Sequence, residues 1–327
     1  MTGFRGQRST RTPMMDRLTV RTHVVHWFAC VVCMAHVSGE PAIAQPESVP
    51  FVAGFERFAR HGEIDTALSG WLLLTELSCT ACHTATSEEF APKLGPRLTG
   101  VGNRVRYDWI ARFLRSPQLL KPGTTMPDVL ADGPESERAE TAAALVEFLM
   151  TQQEPFPEIK GTGVRPVPHE FWNQGDVAAG RQLYHRVGCV ACHEPDQDYE
   201  TVESKPSPLD QLLEQLDADE LKELGLTTAA RRVESVPHGD LLAKYSRQSL
   251  TFFLLDPHST RPSGRMPNLK LSVVEAADIA AWLLREQPQR TAEPAESTAR
   301  NSELVENGRR LFGELGCANC HAVTGAV

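Results

Sequence analysis

Three stretches of the chain carry the same stripe of apolar positions. They are Gly70, Leu73, Leu74 and Leu77; Gly180, Leu183, Tyr184 and Val187; and Gly308, Leu311, Phe312 and Leu315. The spacing i, i+3, i+4, i+7 puts each set on one face of a short amphipathic helix. A glycine opening each stripe reads either as a feature of the helix N-terminal region or, more sharply, as close approach of a second helix, which a side chain would block. Another helix is predicted to end over Ala142 to Met150, with Met150 as core packing. No alternating segment of useful length suggests a strand, so the expected fold class is all-α. Pro-rich segments at 153–169 and 287–301 read as semi-rigid linkers between helical blocks.

The N-terminal region has a different pattern. Arg5, Arg8, Arg11, Arg17 and Arg21 precede an apolar run from about Val24 to Val37, and Ala42-Ile43-Ala44 has the small-x-small form of a cleavage site. This predicts an export signal over 1–44, with Met14 or Met15 as alternative starts. The run is too short for a membrane span, and His26 and His36 break it. Cys30 and Cys33 read as small apolar residues within it; a lipid anchor at Cys30 is the weaker alternative. Cleavage would remove five Arg, Asp16 and Glu40, taking the net charge from -9 to -12. So acidic a chain argues against nucleic-acid binding.

Six cysteines remain, all in one spacing. Cys79-Thr80-Ala81-Cys82-His83, Cys189-Val190-Ala191-Cys192-His193 and Cys317-Ala318-Asn319-Cys320-His321 each read C-x-x-C-H. That is the attachment pattern of c-type haem. Two thiols three residues apart can form two thioethers to the porphyrin, and the His after them can bind the iron from below. Three disulfides would leave three adjacent histidines to coincidence. Zinc would want the Cys pairs about 15–20 residues apart. A thioredoxin-like pair would want a βαβ context, which is missing. Covalent haem c with iron is therefore the expected cofactor.

Haem iron that transfers electrons usually has two axial ligands, often His and Met. After the signal the chain has three methionines, Met126, Met150 and Met266. Met126 and Met266 sit in Pro- and Gly-rich loops, each followed by Pro. Their surroundings repeat at an offset of 140: Phe113 with Phe253, Leu114 with Leu254, Pro117 with Pro257, Pro122 with Pro262. Each complete repeat thus offers one loop Met as a sixth ligand.

These residues resemble the class I cytochrome c family. The shared pattern is a helix (Gly70–Ser78), C-x-x-C-H, Gly95-Pro96-Arg97-Leu98, a helix (Tyr107–Leu114), Met126-Pro127, then a last helix (Glu135–Met150). The resemblance implies tandem small helical haem domains joined by the Pro-rich linkers. It also implies that Pro96 offers its carbonyl to the Nδ1 of the haem His, here His83, with Pro237 as the less secure counterpart in repeat two. Arg97, Arg104, Tyr107 and Trp109 are candidates for haem propionate contacts, or ordinary surface and packing residues.

The expected organisation is a signal at 1–44 and a lead-in at 45–62 whose Phe51, Phe55 and Phe58 pack on the first domain. Domain one follows at 63–152, the first linker at 153–169, and domain two at 170–286. A second linker at 287–301 precedes the start of a third, truncated domain at 302–327. Repeat two departs from the pattern: 72 residues separate His193 from Met266, against 42 between His83 and Met126. The excess, about 194–233, is acidic and helix-prone around Leu209–Leu224. The expected function is one-electron transfer in the periplasm or another exported setting, between redox partner proteins whose identity the sequence leaves open. The alternatives are the electron-carrying portion of a larger dehydrogenase-type oxidoreductase, or a di-haem peroxidase with one displaceable ligand.

Overall fold

Side-chain caps start several of the helices that build the core. In the computed structural model, which describes residues 50–52, 55, 66–84, 90–161, 163–164, 166–199, 208–226, 236–285 and 301–325, every regular element among those residues is helical. The first part holds α1 (Thr66–Glu76), α2 (Val101–Arg104), α3 (Tyr107–Arg115), α4 (Pro117–Leu120) and α5 (Glu135–Thr151). The middle holds α6 (Val177–Arg186), then α7 (Pro208–Gln215) and α8 (Ala218–Glu223) within the expected insertion. It continues with α9 (Leu241–Lys244), α10 (Arg247–Leu255), α11 (Pro257–Thr260) and α12 (Val273–Leu283). Last comes α13 (Ser302–Glu314). The expected signal at 1–44, Cys30, Cys33, Phe58 and most of the second linker lie outside the described residues.

The Asp176 carboxylate accepts from the Ala179 N–H at 2.7 Å to start α6. Ser272 and Glu275 form a capping box on α12, and the Asn301 side chain accepts from Glu303 and Leu304 at the head of α13. Each cap satisfies amides that have no partner within the helix. No side chain caps α5; Glu135 and Glu137 instead place negative charge at its positive end.

Two apolar cores result. The first gathers Trp109, Ile110, Leu145, Phe148 and Phe312, with α13 lying along α5. The second gathers Tyr184, Tyr245, Leu250, Ile279 and Trp282, with α6 lying along α12. The glycines of the helical stripes explain both pairings. A methyl added at Gly180 would overlap the Asp278 carbonyl, and one at Gly308 would overlap the Ala144 carbonyl. Gly70, on α1, has nothing within 4 Å of where its Cβ would be.

The repeats also touch each other, which corrects the expectation of helical domains held apart by the Pro-rich linkers. Val105 reaches the second core and Ala243 the first. The Arg106 N–H donates to the Lys244 carbonyl at 3.0 Å, and the Arg97 N–H to the Thr260 carbonyl at 2.8 Å. The first linker is pinned as well: Phe156 stacks on Phe252 with centroids 4.7 Å apart. In the lead-in, the Phe51 N–H donates to the Gly123 carbonyl at 2.9 Å, but the Phe51 and Phe55 side chains both stay exposed rather than packing into the first domain. No helix among the described residues is long and apolar enough to cross a membrane.

Candidate functional site

The C-x-x-C-H segments fold into the same turn three times. A residue with left-handed backbone ends each preceding helix: Ser78 at φ 56°, Gly188 at φ 103° and Gly316 at φ 73°. One turn of 3₁₀ helix follows over Cys79–Ala81, Cys189–Ala191 and Cys317–Asn319. In each, the His N–H donates to the first Cys carbonyl, at 3.0 Å for His83, 2.9 Å for His193 and 3.0 Å for His321. Glycine adopts this φ without strain and Ser does not. The Ser78 hydroxyl donates to the Lys93 carbonyl at 3.1 Å, which anchors the strained residue.

In the second turn, His193 Nδ1 lies 2.9 Å from the Val236 carbonyl oxygen. A carbonyl only accepts, so Nδ1 carries the proton and Nε2 keeps its lone pair. The Val236 N–H donates back to the Cys192 carbonyl at 2.7 Å. The sequence pointed to Pro237 for this role; the residue before it serves, because its amide and carbonyl both face the turn. Cys189 and Met266 pack against the same core. His238 stacks on the His193 ring with centroids 4.2 Å apart, and its Nε2 lies 2.8 Å from the Tyr184 hydroxyl oxygen. That hydroxyl donates to the Glu194 carbonyl at 2.9 Å. Its single proton is thus committed, and His238 Nε2–H is the donor to it. Burial, reinforced by the neighbouring His193, pushes His238 down to about 4.

The third turn meets residues of the first repeat. His321 Nδ1 lies 2.8 Å from the Pro96 carbonyl oxygen, so here too Nε2 is left free. The Gly95 N–H donates to the Cys320 carbonyl and the Leu98 N–H to the Ala322 carbonyl, both at 2.8 Å. The Thr324 N–H donates to Gln152 Oε1 at 2.7 Å, and Cys317 packs on the first core. Burial lowers the His321 pKa, with the Pro96 hydrogen bond opposing.

The expectation that Pro96 serves His83 is therefore corrected, and so is the expectation that 302–327 stands as a separate incomplete domain. Segment 95–151 is completed by 302–321. The reason is steric: Gly308 lets α13 settle onto the Ala144 carbonyl of α5, whereas α1 and its Gly70 make no such contact.

The first turn is differently placed. Cys82 and His83 are exposed, and the Asn319 side-chain amide donates to Cys82 Sγ at 3.5 Å. Glu76, at the end of α1, pairs with Lys93 and with Arg265 of the Met266 loop. Leu68, Trp71 and Leu74 of α1 are exposed, although Trp71 meets Phe90 edge-on at 5.3 Å.

Met126 is half-buried in its loop, where its N–H donates to Thr124 Oγ1 at 3.3 Å and its carbonyl accepts from Gln118 at 3.1 Å. Met150 is buried in the first core, as packing. Of the other candidates, Arg104 donates to the Thr99 carbonyl at 2.9 Å and to the Arg97 carbonyl. Trp109 lies in the core with the Lys244 ammonium 4.2 Å from its ring centroid. Val236, His238, Lys244 and Arg261 did not stand out in the sequence. The 140-residue offset could have found the last two, which match Arg104 and Lys121.

Two thiols and an imidazole with a free Nε2, presented by one turn against an apolar core, suit a covalently held haem. The second and third turns meet that description, and the six cysteines are unjoined to one another. Among the described residues, no three His, Cys, Asp or Glu side chains converge as a direct metal site. Set against protein-family models, curated proteins and solved structures, the chain matches none.

Proposed function

We propose that the chain is an exported multi-haem c-type cytochrome that carries single electrons between partner proteins. The observation that carries this reading is the paired hydrogen bond His193–Val236 and His321–Pro96. Each fixes one imidazole ring with Nδ1 protonated, and a donated Nδ1 proton makes Nε2 a better ligand. Cys79 and Cys82, Cys189 and Cys192, and Cys317 and Cys320 would form the thioethers, with His83, His193 and His321 under the iron. Met266, packed on the core with Cys189, would be the sixth ligand opposite His193. Met126 would serve opposite His321, since its segment is completed by the third turn. Haem supplies a reversible one-electron couple when bound. Met126 and Met266 as ligands would raise the potential and would leave the iron no open position for a substrate.

The test is the intact mass of the exported protein, with the absorption spectrum of its reduced pyridine adduct. Three covalent haems are expected, falling by one for each Cys-to-Ser pair changed. An unmodified mass would sink the reading and return the cysteines to disulfides.

A further inference from the structure

The short segment Val236–His238 holds the His193 imidazole from two sides. The Val236 carbonyl accepts from Nδ1 at the ring edge, at 2.9 Å. The His238 ring lies over the ring face, with centroids 4.2 Å apart and planes 19° from parallel. The Val236 N–H donates to the Cys192 carbonyl at 2.7 Å, so the segment is tied to the turn it grips. A hydrogen bond at Nδ1 fixes one point on the ring and leaves the ring free to tilt about it. A flat group stacked on the face removes that tilt.

His238 is itself held in place. Its Nε2–H donates to the Tyr184 hydroxyl at 2.8 Å, and that hydroxyl donates to the Glu194 carbonyl at 2.9 Å. Tyr184 is fully buried, with Trp282 at 4.5 Å between ring centroids. Glu194 follows His193 in the chain, so these bonds run from the core through His238 and back to the turn. Hydrogen bonds linked in series reinforce one another.

The third turn supplies an internal comparison. The 140-residue offset between the repeats matches Val236 with Pro96 and His238 with Leu98. Five residues before the first cysteine of each turn, Tyr184 matches Phe312. Pro96 keeps the carbonyl contact, accepting from His321 Nδ1 at 2.8 Å. The side chains of Leu98 and Phe312 carry no polar atom, and both belong to the first core. Packing is thus met by an apolar pair at one turn, while at the other a hydroxyl and a second imidazole stand in the same two places, joined by a hydrogen bond.

We propose that Tyr184 and His238 are positioning residues that set the plane of the His193 ring, and so the plane of the axial imidazole, for the second-turn haem alone. The proposal deepens the haem reading and rests on it. Neither side chain would bind the iron; each acts through His193.

The test is proton NMR of the oxidised, haem-loaded protein. In low-spin ferric haem the plane of the axial imidazole decides which porphyrin methyls carry most unpaired spin, so their shifts report that plane. Signals that vanish in Cys189→Ser/Cys192→Ser belong to the second-turn haem. His238→Leu, which installs the residue of the other repeat, should move those methyl shifts and leave those of the third-turn haem in place. Tyr184→Phe keeps the buried ring and removes only the hydroxyl. It should move the same signals in the same direction, and it decides alone if His238→Leu does not fold. Because the two residues act as one unit, the double variant should move the signals no further than His238→Leu does. Unmoved second-turn shifts, equal movement at both haems, or additive effects would overturn the positioning role. Absence of covalent haem at the second turn would instead count against the functional reading.

Discussion

His321 donates its Nδ1 proton to the carbonyl oxygen of Pro96, 225 residues earlier in the chain, at 2.8 Å. This bond decides which C-x-x-C-H turn completes the first repeat. Helix α13 brings it about by packing on α5 through Gly308, with Phe148 and Phe312 at 5.5 Å behind the contact.

The three stripe glycines should respond in opposite directions to alanine. Gly180→Ala and Gly308→Ala each drive a methyl into a helix backbone and should cost roughly 1–3 kcal/mol. Gly70→Ala meets open space within a helix and should stabilise by about 0.5–1 kcal/mol. Thermal unfolding of the three variants checks this. If α1 packed on α5 in place of α13, Gly70 would carry the cost and Gly308 would not.

On the proposed haem ligation, removal of a sixth ligand should open one haem at a time. Met266→Ala should let carbon monoxide bind the reduced second-turn haem and lower its potential. Met126→Ala should do so at the third turn, and the effect should vanish in Cys317→Ser/Cys320→Ser, which removes that haem. Persistence of the effect there, with its loss in Cys79→Ser/Cys82→Ser, would return Met126 to His83.

Glu76 should make the seating of α1 sensitive to acid. Burial opposes ionisation, but hydrogen bonds and charge from Lys93 and Arg265 prevail, so the pKa is lowered from 4.5. A depressed carboxyl contributes stability above its unfolded pKa, and loses it as pH falls through the lower folded value. Glu76→Gln should therefore speed proteolysis near α1 at pH 7 and make no difference well below pH 4. An equal effect at both pH values would mean that packing, rather than charge, holds the helix.

Asp278 should behave in the opposite sense. It is buried, its Oδ1 accepts from the Asp176 N–H at 2.7 Å, and burial raises its pKa above 3.8, with the Asp176 hydrogen bond opposing. A raised carboxyl favours the fold most below its unfolded pKa, and that contribution is lost as pH rises through the folded value. Asp278→Asn keeps an acceptor and removes the charge, so it should raise the melting temperature at pH 7, with the gain disappearing below about pH 3.8. A loss at pH 7 would show that the carboxylate charge itself is needed.

The sequence by itself determined the local chemistry. The helical stripes, the three cysteine turns with their histidines, the loop methionines and the 140-residue repeat are all written in residue spacing, because helix and turn geometry depend on neighbours along the chain. Which turn joins which segment was left to the tertiary structure. Gly70, Gly180 and Gly308 look alike in sequence, and Pro96 follows His83 closely enough to suggest a pair. The choice rests on helix packing, where Gly308 rather than Gly70 meets the Ala144 carbonyl. Lys244 and Arg261 look like scattered surface charges along the chain, and only the tertiary structure brings both onto Tyr245.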